Sequence, residues 1–111
     1  MPVVVLQSAK DDLRDGYLFY EMQGGSHLGD CFLATLQDEL SSLAGFAGIH
    51  SRRFGLHRAL SRRFPYSIYY DIEDGEARVY GVLDNRRNPS WICNHLQGAR
   101  DFQSPETPTP Q

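Results

Sequence analysis

The sequence predicts an α+β fold. An N-terminal strand leads into an antiparallel helical hairpin packed on a small, mostly antiparallel sheet (order β-α-α-β-β-β), followed by a short C-terminal helix. Three observations predict it. Apolar residues recur at helical spacing from Ala9 to Leu43 with one glycine break between. β-favouring residues then dominate from Leu56 to Leu83. An Asp74-Gly75 turn signal divides that second stretch into two strands. The length, 111 residues, suits one domain with one core.

Each element has its own warrant. Pro2 to Gln7 reads as a strand, because Val3, Val4, Val5 and Leu6 follow a proline placed where a strand begins. Ser8 and Asp11 are spaced as a capping box, which predicts a helix from there. Ala9, Leu13, Tyr17 and Tyr20 lie on one face of it, and Gly16 weakens it by about 1 kcal/mol relative to alanine. Gly24-Gly25 ends this helix, and Ser26 is the expected N-cap of the next. Leu28, Phe32, Leu36, Leu40 and Leu43 form the strongest helical stripe in the chain, and Gly45 and Gly48 end it. The short connection makes the two helices an antiparallel pair.

Strands are expected over Leu56–Ser61, Tyr66–Ile72 and Ala77–Leu83. A two-residue turn at Asp74-Gly75 sets Glu73 opposite Glu76, Ile72 opposite Ala77, Asp71 opposite Arg78, Tyr70 opposite Val79, Tyr69 opposite Tyr80 and Ile68 opposite Gly81. One face then carries Tyr66, Ile68, Tyr70, Ile72, Val79 and Leu83 toward the core. The other carries Ser67, Tyr69, Asp71, Arg78, Tyr80 and Val82, half polar and aromatic, as an open partner surface. Asn88-Pro89-Ser90-Trp91 opens the short terminal helix, with proline at a tolerated first position. The domain is expected to span 1–97, and 98–111 is expected to be a flexible proline-rich tail.

No apolar run approaches the roughly 20 residues that cross a bilayer, and the apolar start lacks a basic leader, so a cytosolic protein is expected. Cys31 and Cys93 read as reduced thiols. They fit no metal spacing with each other or with His57 and His95, so neither metal nor cofactor is expected. Charge is uneven. Residues 1–51 hold two basic groups against seven acidic ones, a balance of −5. Residues 52–87 hold eight arginines against five acids, a balance of +3. Residues 88–111 hold one against two, a balance of −1, and the chain totals −3. A basic segment made only of arginine suits phosphate or carboxylate on one surface.

Arg63-Phe64-Pro65-Tyr66-Ser67-Ile68-Tyr69-Tyr70 resembles the central strand of the ParE-like branch of the RelE/ParE toxin superfamily. Val79 to Leu83 followed by Asp84-Asn85-Arg86-Arg87-Asn88-Pro89-Ser90-Trp91 resembles that family's closing block of a valine-rich strand, a basic pair, an Asp/Asn-Pro step and a tryptophan. The similarity covers roughly 3–96. Asp84 departs from it, since the family often has histidine near that position.

The resemblance implies the toxin of a type II toxin–antitoxin pair, neutralised by a cognate antitoxin and acting on DNA gyrase. In that role Arg58, Arg62, Arg63, Arg86, Arg87 and Trp91 would bind the target, and Tyr69, Tyr80 and Arg78 would bind the antitoxin. The alternative is a RelE-like, metal-independent messenger-RNA endonuclease. It would hold phosphate with Arg58, Arg62, Arg86 and Arg87 and move protons with Tyr80 or His95. A ParE-fold protein that has lost toxicity is a third reading. Plainer roles stand beside these: solvated arginine pairs, Tyr80 as a packing partner of Tyr69, Trp91 as a core plug, and His95 solvated on a loose terminal helix.

Overall fold

The structure is a computed structural model that describes residues 1–102. The proline-rich stretch beyond lies outside the described residues. The elements are β1 (Val3–Val5), α1 (Gln7–Gly24), α2 (Ser26–Phe46), β2 (Arg52–Arg53), β3 (Leu56–Leu60), β4 (Tyr66–Glu73), β5 (Glu76–Asp84) and α3 (Pro89–Phe102). They form one five-stranded sheet in the order β1-β5-β4-β3-β2. β1 runs parallel to β5 and the other pairs are antiparallel, so the predicted α+β arrangement is observed.

Both expected serine caps take other roles. The α1 N-cap is Leu6, which has no side-chain cap. Ser8 sits inside the helix, and its hydroxyl donates instead to the Tyr80 carbonyl at 2.7 Å, tying α1 to β5. Ser26 is likewise already helical. One glycine both ends α1 and starts α2: the Gly25 amide donates to the Glu21 carbonyl, and its own carbonyl accepts from Leu28 and Gly29. Its φ of +86° and ψ of 178° lie in a region that suits glycine.

Two hydrophobic layers enclose the sheet. On one face Ala9 and Leu13 of α1 and Phe32, Leu36, Leu40 and Leu43 of α2 meet Tyr66, Ile68, Tyr70, Ala77, Val79 and Val82. On the other, α3 lays Ile92 and Leu96 over Leu56, Tyr69, Tyr80 and Leu83. The terminal helix is therefore longer than predicted and belongs to the core. It keeps Ala99 buried and extends to Phe102, beyond the boundary expected at 97.

The hairpin explains the exchange of Val82 and Leu83 between faces. Asp74 and Gly75 both have positive φ, 53° and 73°, as a type I′ turn requires. The predicted register holds as far as Tyr70 opposite Val79. There the ladder shifts, so that Tyr69 faces Gly81 and Ile68 faces Val82, leaving Tyr80 as the extra residue. An inserted residue reverses the alternation of every side chain after it. Val82 thus enters the helix-side core and Leu83 points under α3. The open aromatic face expected from unbroken alternation is closed: Tyr69 and Tyr80 are buried beneath α3.

A second, shorter hairpin escaped the sequence reading. Phe54 and Gly55, with φ of 57° and 82°, join β2 to β3. The Phe54-Gly55 pair before an apolar strand was the available signal for this turn.

Candidate functional site

The arginines of residues 52–87 separate into distinct groups. Arg78 is consumed locally: its guanidinium reaches Glu76 at 3.0 Å, Glu73 at 2.8 Å and Asp74 at 3.2 Å. This cluster relieves the like charges of Glu73 and Glu76 across the hairpin. Asp71 faces Arg78 across the strands as expected, but its ion pair is with Arg52, at 3.3 Å. With its donors engaged and its neighbours Tyr69 and Tyr80 under α3, Arg78 does not form the open aromatic surface expected of these three residues. The Tyr80 hydroxyl donates to Glu73 at 3.1 Å.

Arg86 is also engaged. It grips Asp84 with Nε at 2.9 Å and Nη2 at 2.7 Å, and its backbone amide adds a third bond at 2.8 Å. The Asp84 carboxyl is held below its usual range, chiefly by the Arg86 side chain. The acid that departs from the family pattern thus occupies the arginine expected to bind phosphate. Arg62 and Arg63 lie on the loop before β4, at the rim of a groove beside α2, where the Arg62 amide donates to Glu39. They do not join Arg86, Tyr80 and His95 in one site.

Arg53, Arg58 and Arg87 do come together. The β2–β3 hairpin supplies Arg53 and Arg58, and the segment between β5 and α3 supplies Asn85 and Arg87. Tyr69 of β4 and Ile92 of α3 complete a small pocket. None of the ion pairs among the described residues uses these three arginines. Two are held by aromatic rings: Arg53 lies 4.9 Å from the Phe54 centroid and Arg87 lies 4.0 Å from that of Trp91. Such stacking fixes a guanidinium while leaving its in-plane N–H groups available. Asn85 accepts the Ser67 hydroxyl with Oδ1, which turns its amide nitrogen elsewhere.

Trp91 is neither a core plug nor a bare platform. Its ring lies between Arg87 and His95, the latter stacked at 4.6 Å with planes 12° apart. His95 is not loosely solvated: its Nε2 is 2.9 Å from Oδ1 of Asp12 on α1. Asp12 is buried, and its other oxygen accepts the Val82 amide at 3.1 Å. Arg87, Trp91, His95 and Asp12 thereby form a contiguous chain from the arginine pocket to α1, along a cleft of about 370 Å³ that also includes Asp15, Tyr66 and Asp84. Sequence reasoning missed Asp12, which looks like one more surface acid on a helix. Its place in the Ala9–Leu13 stripe, next to Leu13, was the only hint.

Burial pushes the Asp12 carboxyl up to about 6, against the opposing pull of His95. The folded chain then holds a proton between about pH 4 and 6 that the unfolded chain has released. Stability should therefore fall as pH rises through that window. Asp12→Asn is expected to flatten this part of a stability–pH profile measured by urea unfolding. A profile unchanged by the substitution would remove Asp12 as its source.

A second surface lies on the helical side. Val5, Leu13, Tyr17, Leu33 and Leu40 line an apolar groove of about 450 Å³ between α1, α2 and β1, with Lys10 and Arg14 also lining it. β1 is an edge of the sheet, paired only with β5. Among the described residues no cluster of side chains is suited to hold a metal ion, and no helix is long and apolar enough to cross a membrane.

No family model and no curated protein matches the sequence. A chain of the chromosomal ParDE toxin–antitoxin system from P. aeruginosa matches in structure, with a TM-score of 0.68 and 19% identity. The match covers 74% of this chain and 92% of that one. This protein therefore shares the α+β fold of that ParDE chain, the fold that the Arg63–Tyr70 and Val79–Trp91 motifs implied.

Proposed function

We propose that this chain is the toxin of a type II toxin–antitoxin pair, that it arrests growth by acting on DNA gyrase, and that a cognate antitoxin neutralises it. The observation that carries the proposal is the fold likeness to a ParDE chain over nearly all of that chain's length. The apolar groove between α1, α2 and β1 suits the antitoxin. It offers an apolar seat for a segment with acidic residues facing Lys10 and Arg14, beside a sheet edge open to another strand. This seat replaces the Tyr69–Tyr80 face, which α3 covers. The target side is the opposite one, at Arg53, Arg58 and Arg87.

The test is inducible expression in a bacterial host, with and without the adjacent small reading frame. Expected are growth arrest with filamentation, relief by the neighbour, and loss of supercoiling when purified protein is added to gyrase. Untouched supercoiling at excess protein would reject gyrase as the target, and absence of arrest would reject the toxin reading. One observation favours a second reading, RNA cleavage: His95, held by a buried carboxylate, shares a cleft with Arg87. Rapid cleavage of translating messenger RNA after induction, abolished by His95→Ala, would support it over gyrase.

A further inference from the structure

We propose that the pocket framed by Arg53, Arg58, Arg87 and Asn85 is a phosphate seat that takes the sugar–phosphate backbone of a nucleic-acid strand. The argument begins with the chemistry of its rim. Three guanidiniums and a primary amide are predominantly donors. The acid nearest to them in sequence, Asp84, is gripped on both oxygens by Arg86 and does not neutralise the pocket. Such a site is satisfied by an oxyanion.

Shape distinguishes phosphate from carboxylate. The arginines come from separate elements, Arg53 from β2, Arg58 from β3 and Arg87 from the segment that leads into α3. A carboxylate presents its acceptor sites in one plane, whereas the tetrahedral oxygens of phosphate meet donors that converge out of plane. The void is small, about 40 Å³, which suits one such group.

A strand is favoured over a lone ion because the basic surface continues. Arg100 of α3 reaches the same β2–β3 turn: a Cβ on Gly55 would lie 2.8 Å from its Nη1. Arg100 takes part in no ion pair among the described residues. It offers a second phosphate contact next to the pocket. A chain of net charge −3 does not attract polyanions as a whole, so attraction must be local to this face. Trp91 acts as a positioning residue. It stacks on His95 and holds the Arg87 guanidinium in place over its ring.

The test uses the purified full chain, labelled single-stranded DNA and RNA oligonucleotides, and fluorescence anisotropy across a salt series, with inorganic phosphate as competitor. It needs no gyrase, so its failure and the failure of the gyrase reading are separate results. Arg58→Ala and Arg87→Ala should each weaken binding about tenfold and lower the salt slope by about 1. Arg62→Ala and Arg63→Ala, which line the separate groove beside α2 and not this pocket, should leave both unchanged. Trp91→Ala should weaken binding and Trp91→Phe should restore it. Thermal melts within about 2 °C of the parent would certify the fold, and Arg58→Lys stands in if Arg58→Ala does not fold. DNA and RNA binding alike would mark plain backbone recognition, and a preference for one would identify the strand taken. Two results would overturn the proposal: no binding of either strand, or equal losses from Arg62→Ala and Arg63→Ala.

Discussion

Phe32→Ala is expected to destabilise the protein by about 3–5 kcal/mol, the largest effect of any single substitution in the helical core. Phe32 is fully buried and is the hub of an aromatic cluster. Its ring lies 5.1 Å from that of Tyr20, 5.2 Å from Phe64 and 4.9 Å from Tyr66. The last two are edge contacts, which add to the burial term. α1 passes close to it, since a Cβ on Gly16 would come within 2.5 Å of the Phe32 ring. The vacated space therefore opens beneath α1 as well as α2, and both helices lose their fit to the sheet. Urea unfolding measures the loss. For a domain of this size even the lower figure corresponds to a fall of roughly 10 °C or more in the melting temperature. A fall below about 1 kcal/mol would show that Tyr20 and Phe64 collapse into the gap.

Gly81→Val is expected to displace α3. A Cβ at Gly81 would stand 2.7 Å from Cδ2 of Leu96 and 3.2 Å from Oδ2 of Asp12. Leu96 is buried under neighbours that limit its retreat, and Asp12 is held by the Val82 amide and His95. Overpacking of this kind costs about 1–3 kcal/mol, and here the strain falls on the contact between α3 and β5. Two readouts separate displacement from general loss of stability. Trp91 fluorescence should change as its stack with His95 loosens, while the helical layer around Phe32 stays intact. Leu96→Ala added to Gly81→Val should relieve the clash and return much of the Trp91 signal. If the double variant behaves like the sum of its parts, the contact with Leu96 is not the source of the damage.

The arginines show how far a linear reading of charge reaches. Eight arginines within residues 52–87 identify the basic segment, but the composition treats them as equivalent. In the fold, Arg52, Arg78 and Arg86 are paired with carboxylates, and Arg53, Arg58 and Arg87 converge on one pocket. Arg58 and Arg87 were legible through their position in the basic block. Arg53 lies in the same block but was not singled out, because only the tight Phe54-Gly55 turn sets it opposite Leu56 and so into one pocket with Arg58. Asp84 next to Arg86 is legible in hindsight, since residues two apart at a strand end can meet without any tertiary help.

The sequence by itself determined the order of the elements apart from β2, the helical stripes from Ala9 to Leu43, the Asp74-Gly75 turn and the uneven placement of charge. All of these are local: periodicity, a glycine at positive φ and composition act over a few residues. The tertiary structure alone decided which faces are closed. The bulge at Tyr80 reverses Val82 and Leu83, and α3 then covers Tyr69 and Tyr80, because a helix with Ile92, Leu96 and Ala99 on one side must bury that side against apolar surface. It also decided that Asp12 and His95, far apart in the chain, share a hydrogen bond. No local pattern encodes such a contact, since it exists only where α1, β5 and α3 meet.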